Sequence, residues 1–299
     1  MECDLKKHAN YYDILESFPK IWKFLSNKKI KNLEKLDSLW RKENLLLRIK
    51  CWDGDYVFKK INGKEKQTEQ ERIKIMKKEY PSLMPEIYVC EGDAYLIEYI
   101  NGDSFFNLKE SERISKINSA GRMLNNVYYL KKYPKGDISE AVKKSFDRYR
   151  EKRKEFFFNN ELKLNEDNFK IFRNVSLQPS HNDLNAANLL YGEKIKLIDP
   201  SEEGFNDIAR DIGRYCASCF FNNYDYFGNN KKFSLEIAES FLSHFNEELL
   251  GRAKYYIGES FLSFLAFDTV SDIKYKLKKL SINLLLKNGK IINLLEESL

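Results

Sequence analysis

The spacing of apolar residues changes period several times in the first hundred positions. Residues 11–26, YYDILESFPKIWKFLS, read as a short amphipathic helical lead-in. Beyond it, ENLLLRIKCWDGDYVFKKI (43–61) is two β-rich runs joined by Asp53-Gly54, a strong hairpin signal. A charged helical stretch follows, KEKQTEQERIKIMKKEY, with Ile73, Met76 and Tyr80 on one face. Pro81 and Pro85 end it, and two further strand-like runs, EIYVC and AYLIEYI, flank Glu91-Gly92-Asp93. The order is therefore hairpin, helix, hairpin.

From Asn101 onward the pattern is mostly helical. SERISKINSAGRMLNNVYYLKKY places Ile114, Ile117, Met123, Leu124, Val127 and Leu130 near helical spacing, as a core helix requires. ISEAVKKSFDRYREKRKEFFF reads as a basic helix with a solvated face. One small β island lies at 189–199, NLLY, a Gly-Glu-Lys turn and IKLID, and residues 206–299 are helical again. These readings predict an α+β chain. A small N-terminal lobe (1–100) has an antiparallel sheet plus a helix, and a larger, mostly helical C-terminal lobe (101–299) follows, with the boundary near Asn101-Gly102.

Composition narrows the class without naming a function. With 42% hydrophobic and 32% charged residues in 299, the chain reads as a folded, soluble protein rather than a disordered one. A net charge of +6 over this length is too mild to indicate a nucleic-acid-binding face. No apolar run approaches the ~18 residues of a membrane span, and the N-terminus lacks a signal-peptide run. Five cysteines without a disulfide framework point to a reduced, cytoplasmic protein. Cys216 and Cys219 form C-x-x-C, but no second pair or nearby histidine completes a zinc site, so they read as core thiols. The sequence leaves the oligomeric state open.

SHNDLNAANLLYGEKIKLIDP (180–200) is the stretch that carries chemistry. Each polar residue alone fits an ordinary turn or cap. Together they give His181-x-Asp183-Leu184-x-x-x-Asn188, then strand, turn, strand and Asp199. This spacing resembles the catalytic loop and metal-binding strand of the protein-kinase-like superfamily, where H-R-D-L-x-x-x-N precedes a metal-holding aspartate. The resemblance covers about residues 43–215 and implies a bilobal protein-kinase-like fold that binds ATP and Mg²⁺.

Carried over position by position, Asp183 would accept the proton of an acceptor hydroxyl, and Asn188 and Asp199 would offer the hard oxygen ligands Mg²⁺ prefers. His181 would shape the loop. A kinase-like site also needs a strand lysine for the α and β phosphates and a helix carboxylate to hold it. YVFKKI puts Val57 and Lys59 on one face, similar to V-A-I-K, with Lys60 the alternative. Glu69 shares the stripe of Ile73, Met76 and Tyr80, with Glu71 as its alternative. Glu98 and Ile100, in the connector, would lay backbone against adenine, which leaves GTP as open as ATP.

Several details resemble the aminoglycoside phosphotransferase and choline/ethanolamine kinase families more than protein kinases. The loop reads His-Asn-Asp, Pro200 follows the metal aspartate, and Asp-Ile-Gly comes 12 residues after Asp199 with no long activation segment between. In those families Asp211 would brace the catalytic loop by accepting backbone hydrogen bonds. The turn near DSLWRKEN departs from the pattern by having no glycine, so Arg41 or Lys42 would supply charge to the phosphates. The acceptor would be a small-molecule hydroxyl, on an amino alcohol such as choline, an aminoglycoside or a sugar. Aromatics in 219–227 and 261–267 are candidates for an ammonium cage, although such residues are more often core. Glu202, Glu203, Asp225, Glu259, Asp268 and Asp272 are candidates for a polycation. The alternatives are a non-catalytic nucleotide-binding relative, motivated by the missing glycines, and a protein kinase, disfavoured by the missing activation segment.

Overall fold

The structure is a computed structural model that describes residues 10–36, 44–61, 66–128, 131–157, 162–201, 205–226, 230–265 and 271–298. The chain divides into two compact units, Met1–Gly102 with Gly192–Glu202, and Asp103–Tyr191 with Glu203–Leu299. The division falls beside Asn101-Gly102, and Gly192–Glu202 is grouped with the first unit. Its tie is local: the Leu197 amide donates to the Leu83 carbonyl at 2.8 Å, and Lys196 Nζ to the Met84 carbonyl at 3.1 Å.

The first unit is built on a five-stranded antiparallel sheet of β1 (Ile30–Lys35), β2 (Leu45–Cys51), β3 (Asp55–Lys60), β4 (Ile87–Glu91) and β5 (Ala94–Glu98), in the order β1-β2-β3-β5-β4. Asp53-Gly54 turns β2 into β3 as expected, with Gly54 at φ +150° and the Cys51 amide donating to its carbonyl at 3.0 Å. The predicted lead-in is two helical pieces, residues 10–16 and α1 (Pro19–Ser26), because Pro19 starts a new first turn where its missing N–H costs nothing. The Lys20 and Ile21 amides at that start donate to Glu91 Oε2 at 2.8 and 3.2 Å.

Alternation along β3 sorts its residues onto two faces. Tyr56 and Phe58 point into a core with Leu15, Phe18, Ile21 and Leu25 from the lead-in. Val57 and Lys59 point the other way. There α2 (Lys66–Glu79) buries Glu69, Ile73, Met76 and, just past its end, Tyr80, the stripe read from its periodicity.

In the second unit α3 (Glu110–Tyr128) precedes α4 (Ser139–Lys152), and later come α5 (Ala209–Tyr226), α6 (Lys231–Leu242), α7 (Glu247–Phe264), α8 (Ser271–Leu286) and α9 (Ile291–Ser298). The core stripe of α3 differs from the expected one. Arg113, Ile117, Ala120, Gly121, Leu124 and Tyr128 are buried, Ile114, Met123 and Val127 are half-buried, and Leu130 lies outside the described residues. Small Ala120 and Gly121 take the inward positions because a neighbour sits very close: a β-carbon on Gly121 would lie 2.7 Å from the Phe241 carbonyl.

Gly213, in the Asp-Ile-Gly motif, marks a similar approach of α5 to α7, where a β-carbon would lie 2.6 Å from Tyr256 Cβ and 2.8 Å from the Ala253 carbonyl. Backbone and Cβ atoms cannot swing aside. Gly213→Ala is therefore expected to destabilise the protein by about 1–3 kcal/mol, read as a lowered urea midpoint at unchanged slope. Among the described residues no helix is long and apolar enough to cross a membrane. Cys216 and Cys219 are buried free thiols, and burial pushes the Cys216 pKa up to about 12.

Candidate active site

Lys59 is 4% exposed, and its ammonium donates to Glu69 Oε1 and to Asp199 Oδ1, both at 2.7 Å. The two carboxylates differ in setting: the Glu69 side chain is 8% exposed and that of Asp199 48%. Burial alone would lower the Lys59 pKa, but the Asp199 and Glu69 carboxylates outweigh it and the net shift is upward, so the lysine is charged. Tyr95, opposite Lys59 in the β3–β5 register, also donates its hydroxyl to Glu69 Oε1. Burial, then the charge of Glu69, pushes the Tyr95 phenol well above its ordinary range and keeps it a donor.

The alternatives left open by the sequence are separated by this geometry. Lys60 lies on the opposite face of β3, its ammonium 5.7 Å from the Phe18 ring centroid. Glu71 is exposed on α2. Asp199 lies two residues past the strand Ile195–Leu197 with φ +55°, a left-handed conformation uncommon outside glycine, and such strain gathers at functional positions. Glu98 is half-buried at the end of β5, where its amide donates to the Glu86 carbonyl at 2.9 Å, and the Ile100 carbonyl accepts from the Gly102 amide at 3.0 Å.

The loop containing Asp183 belongs to the second unit and is held largely through its backbone. Asp211, fully buried in the first turn of α5, accepts from the His181 amide on Oδ2 and from the Asn182 amide on Oδ1, both at 2.7 Å. The Tyr128 hydroxyl donates to the same Oδ2 at 3.0 Å. Asn182 has φ +62°, and its side chain exchanges hydrogen bonds with Ser180. Further along, Asn185 Oδ1 accepts from the Ala187 amide at 2.9 Å, and the Ala186 amide donates to Ser218 Oγ at 2.8 Å. Asn188 Nδ2 donates to the Asp183 carbonyl at 2.9 Å. The asparagines and alanines between the motif positions thus shape the turn.

The Asp183 side chain itself is 47% exposed, with the Arg214 guanidinium 3.5 Å from Oδ1. Arg214 also donates to the Asn182 carbonyl. The sequence reading passed over Arg214, Tyr95, Tyr128 and Ser218. Arg214 alone carried a signal, since it sits three residues after Asp211 and shares its helix face.

Arg41 and Lys42 lie outside the described residues, as do Glu202, Glu203, Asp268 and the side chains of Asp225 and Asp272. Phe220 and Phe261 are buried against each other with ring centroids 5.9 Å apart, and Phe221 stacks on Phe264 at 5.2 Å. These rings pack with one another as core aromatics do.

No family model matches the sequence. No curated protein matches it closely enough to count as a relative. Solved structures do. Choline kinase LicA from Streptococcus pneumoniae matches with a TM-score of 0.55 at 15% identity, over 92% of this chain and 99% of that one. Aminoglycoside phosphotransferase APH(4)-Ia gives 0.58 at 12% identity, over 93% and 97%. The chain has the protein-kinase-like fold. A glucosamine kinase solved with glucosamine, ADP and inorganic phosphate gives 0.53 at 12% identity, over 79% of this chain and 72% of that one. At such identities the likeness speaks for the kinase-like fold and leaves the chemistry to the residues.

Proposed function

We propose that this protein is a phosphotransferase that moves the γ-phosphoryl group of ATP to a hydroxyl of a small molecule. The observation that carries this reading is the buried Lys59, held at 2.7 Å by both Glu69 and Asp199. A buried lysine needs one carboxylate to remain charged. A second, half-exposed one is what an incoming phosphate would displace and a divalent cation would take up.

In this reading Lys59 binds the α and β phosphates, while Glu69, steadied by Tyr95, fixes its direction. The Glu98 carbonyl and Ile100 amide are the backbone groups offered to adenine, a contact that GTP could share. Arg41 or Lys42 covers the phosphates with side-chain charge in place of glycine amides.

The donor set fits Mg²⁺. Among the described residues no group of three His, Cys, Asp or Glu could hold a metal alone, so the protein would contribute few ligands and phosphates and water the rest. Asp199 offers a half-exposed carboxylate. The Asn188 amide nitrogen is committed to the Asp183 carbonyl, which leaves its oxygen as the ligand atom. When bound, the ion would neutralise charge on the phosphates.

Asp183 lies on a braced loop with its carboxylate half-exposed, as a general base must be. The acceptor oxygen forms its bond to the γ-phosphorus as the bond to the ADP oxygen breaks. The hydroxyl proton passes to Asp183.

The test is ATP consumption, with and without EDTA, against amino alcohols, aminoglycosides, sugars and protein substrates. Small-molecule-dependent turnover that EDTA abolishes is expected. Nucleotide binding with no acceptor ever phosphorylated would instead establish a non-catalytic nucleotide-binding protein. Lys59→Met is expected to lower kcat by about 10²-fold and to raise the KM for ATP. Circular dichroism checks that the variant remains folded.

A further inference from the structure

The candidate base, Asp183, carries a carboxylate that is 47% exposed, so burial does not fix where its two oxygens point. Among the described residues its one ionic partner is Arg214, whose Nη1 lies 3.5 Å from Oδ1. The same Nη1 donates to the Asn182 carbonyl. The guanidinium is therefore anchored on the residue directly before the base.

Helix α5 supplies both supports of this turn. Asp211 accepts the Asn182 amide on Oδ1 at 2.7 Å, and Arg214, three residues on and on the same helix face, donates to the Asn182 carbonyl. Asn182 has φ +62°, a conformation that costs energy outside glycine. Holding its N–H and its C=O from one helix sets the peptide that leads into Asp183. A neutral donor would satisfy that carbonyl. A guanidinium adds a fixed charge and a planar fork of donors, which reach the carboxylate one residue further on. Arg214 does not depend on Asp183 alone for its place. Burial raises the pKa of Glu259 on α7 while Arg210 and Arg214 pull against it, so a second carboxylate attracts the guanidinium.

We propose that Arg214 is the positioning residue of Asp183: it holds Oδ1 and so assigns Oδ2 as the oxygen that takes the acceptor proton. The proposal rests on the phosphotransferase reading and deepens it. The acceptor O–H bond breaks as its proton passes to Oδ2, the acceptor oxygen bonds to the γ-phosphorus, and ADP leaves with the electron pair of the broken P–O bond. Without Arg214 the half-exposed carboxylate turns freely, and a misdirected base costs rate rather than nucleotide binding.

The test compares Arg214 variants of the full-length protein. Arg214→Met is expected to lower kcat by about 10²-fold while changing Mg·ATP binding by less than about twofold. Arg214→Lys keeps a charge without the fork, should recover about tenfold of that loss, and keeps the test valid if Arg214→Met does not fold. The Arg214 side chain is 24% exposed, so guanidinium chloride below the onset of unfolding should restore part of the rate of Arg214→Ala, where matched sodium chloride does not. Crystal structures of the parent protein and Arg214→Met read position apart from turnover. A single Asp183 rotamer with Oδ1 toward Arg214 is expected in the parent, and a second rotamer in the variant. A kcat for Arg214→Met within about twofold of the parent, a loss that neither lysine nor guanidinium recovers, or the same single rotamer in both crystals would overturn the proposal. If the parent turns over no acceptor, the phosphotransferase reading fails, and the rotamer comparison still decides whether Arg214 orients Asp183.

Discussion

Asp183→Asn is expected to lower kcat by about 10³-fold, within the range ascribed to a positioned general base, while Mg·ATP binding changes by less than about twofold. Asparagine keeps the size and shape of the side chain and loses the ability to take a proton. Little else in the loop depends on that carboxylate. The Asn188 hydrogen bond goes to the Asp183 carbonyl, and the backbone on the N-terminal side is fixed by Asp211. The one ionic contact of the side chain among the described residues, Arg214 at 3.5 Å, involves a half-exposed carboxylate and contributes at most about 1 kcal/mol. The variant should therefore melt close to the parent protein. Single-turnover kinetics with saturating ATP isolate the transfer step, and a rate within about tenfold of the parent would remove Asp183 from the role of base.

The first unit was legible from the sequence where two periodicities agreed. Period two along YVFKKI and period three to four along the following helix each give one inward face, and those faces hold Lys59 and Glu69. Neither residue is distinctive alone in so charged a chain. The strand Ile30–Lys35 had no comparable signal, because IKNLEK buries only Leu33, and its pairing with β2 is made by backbone hydrogen bonds and the exposed Glu34–Lys50 ion pair. The stripe of α3 was misplaced because its inward positions include Ala120 and Gly121, which closely packed neighbours require and hydropathy cannot select.

Around the loop, residue types pointed to the chemistry but not to the support. Asn182, Asn185 and Ala186 look arbitrary in sequence. They become necessary once an αL residue, an amide turn and a serine 32 positions away are seen to hold the backbone. Glu259 was read as one candidate among six scattered acids. It is buried, and burial arises from packing between distant helices, which the sequence does not show.

Asp211→Asn should be the most damaging conservative change in the second unit. The carboxylate is fully buried and receives two amides and a phenol: His181 N and Tyr128 OH on Oδ2, Asn182 N on Oδ1. An asparagine has one acceptor oxygen where two are used. Either orientation turns an NH₂ group toward a backbone N–H and leaves donors unsatisfied in a dry site. Hydrogen bonds to a charged group contribute about 1.5–3 kcal/mol each, so the loss is expected to be about 3 kcal/mol or more. Activity should fall with it, because Asn182 is held at φ +62° directly before Asp183, and a released loop would relax out of that conformation. Tyr128→Phe separates bracing from general destabilisation: it removes one neutral donor, leaves both amides paired, and should cost about 1 kcal/mol with kcat nearly unchanged. Chemical denaturation and turnover on the same two variants read both effects. If Asp211→Asn lowers stability and leaves kcat intact, Asp211 supports the fold of α5 and the loop reaches its shape without it.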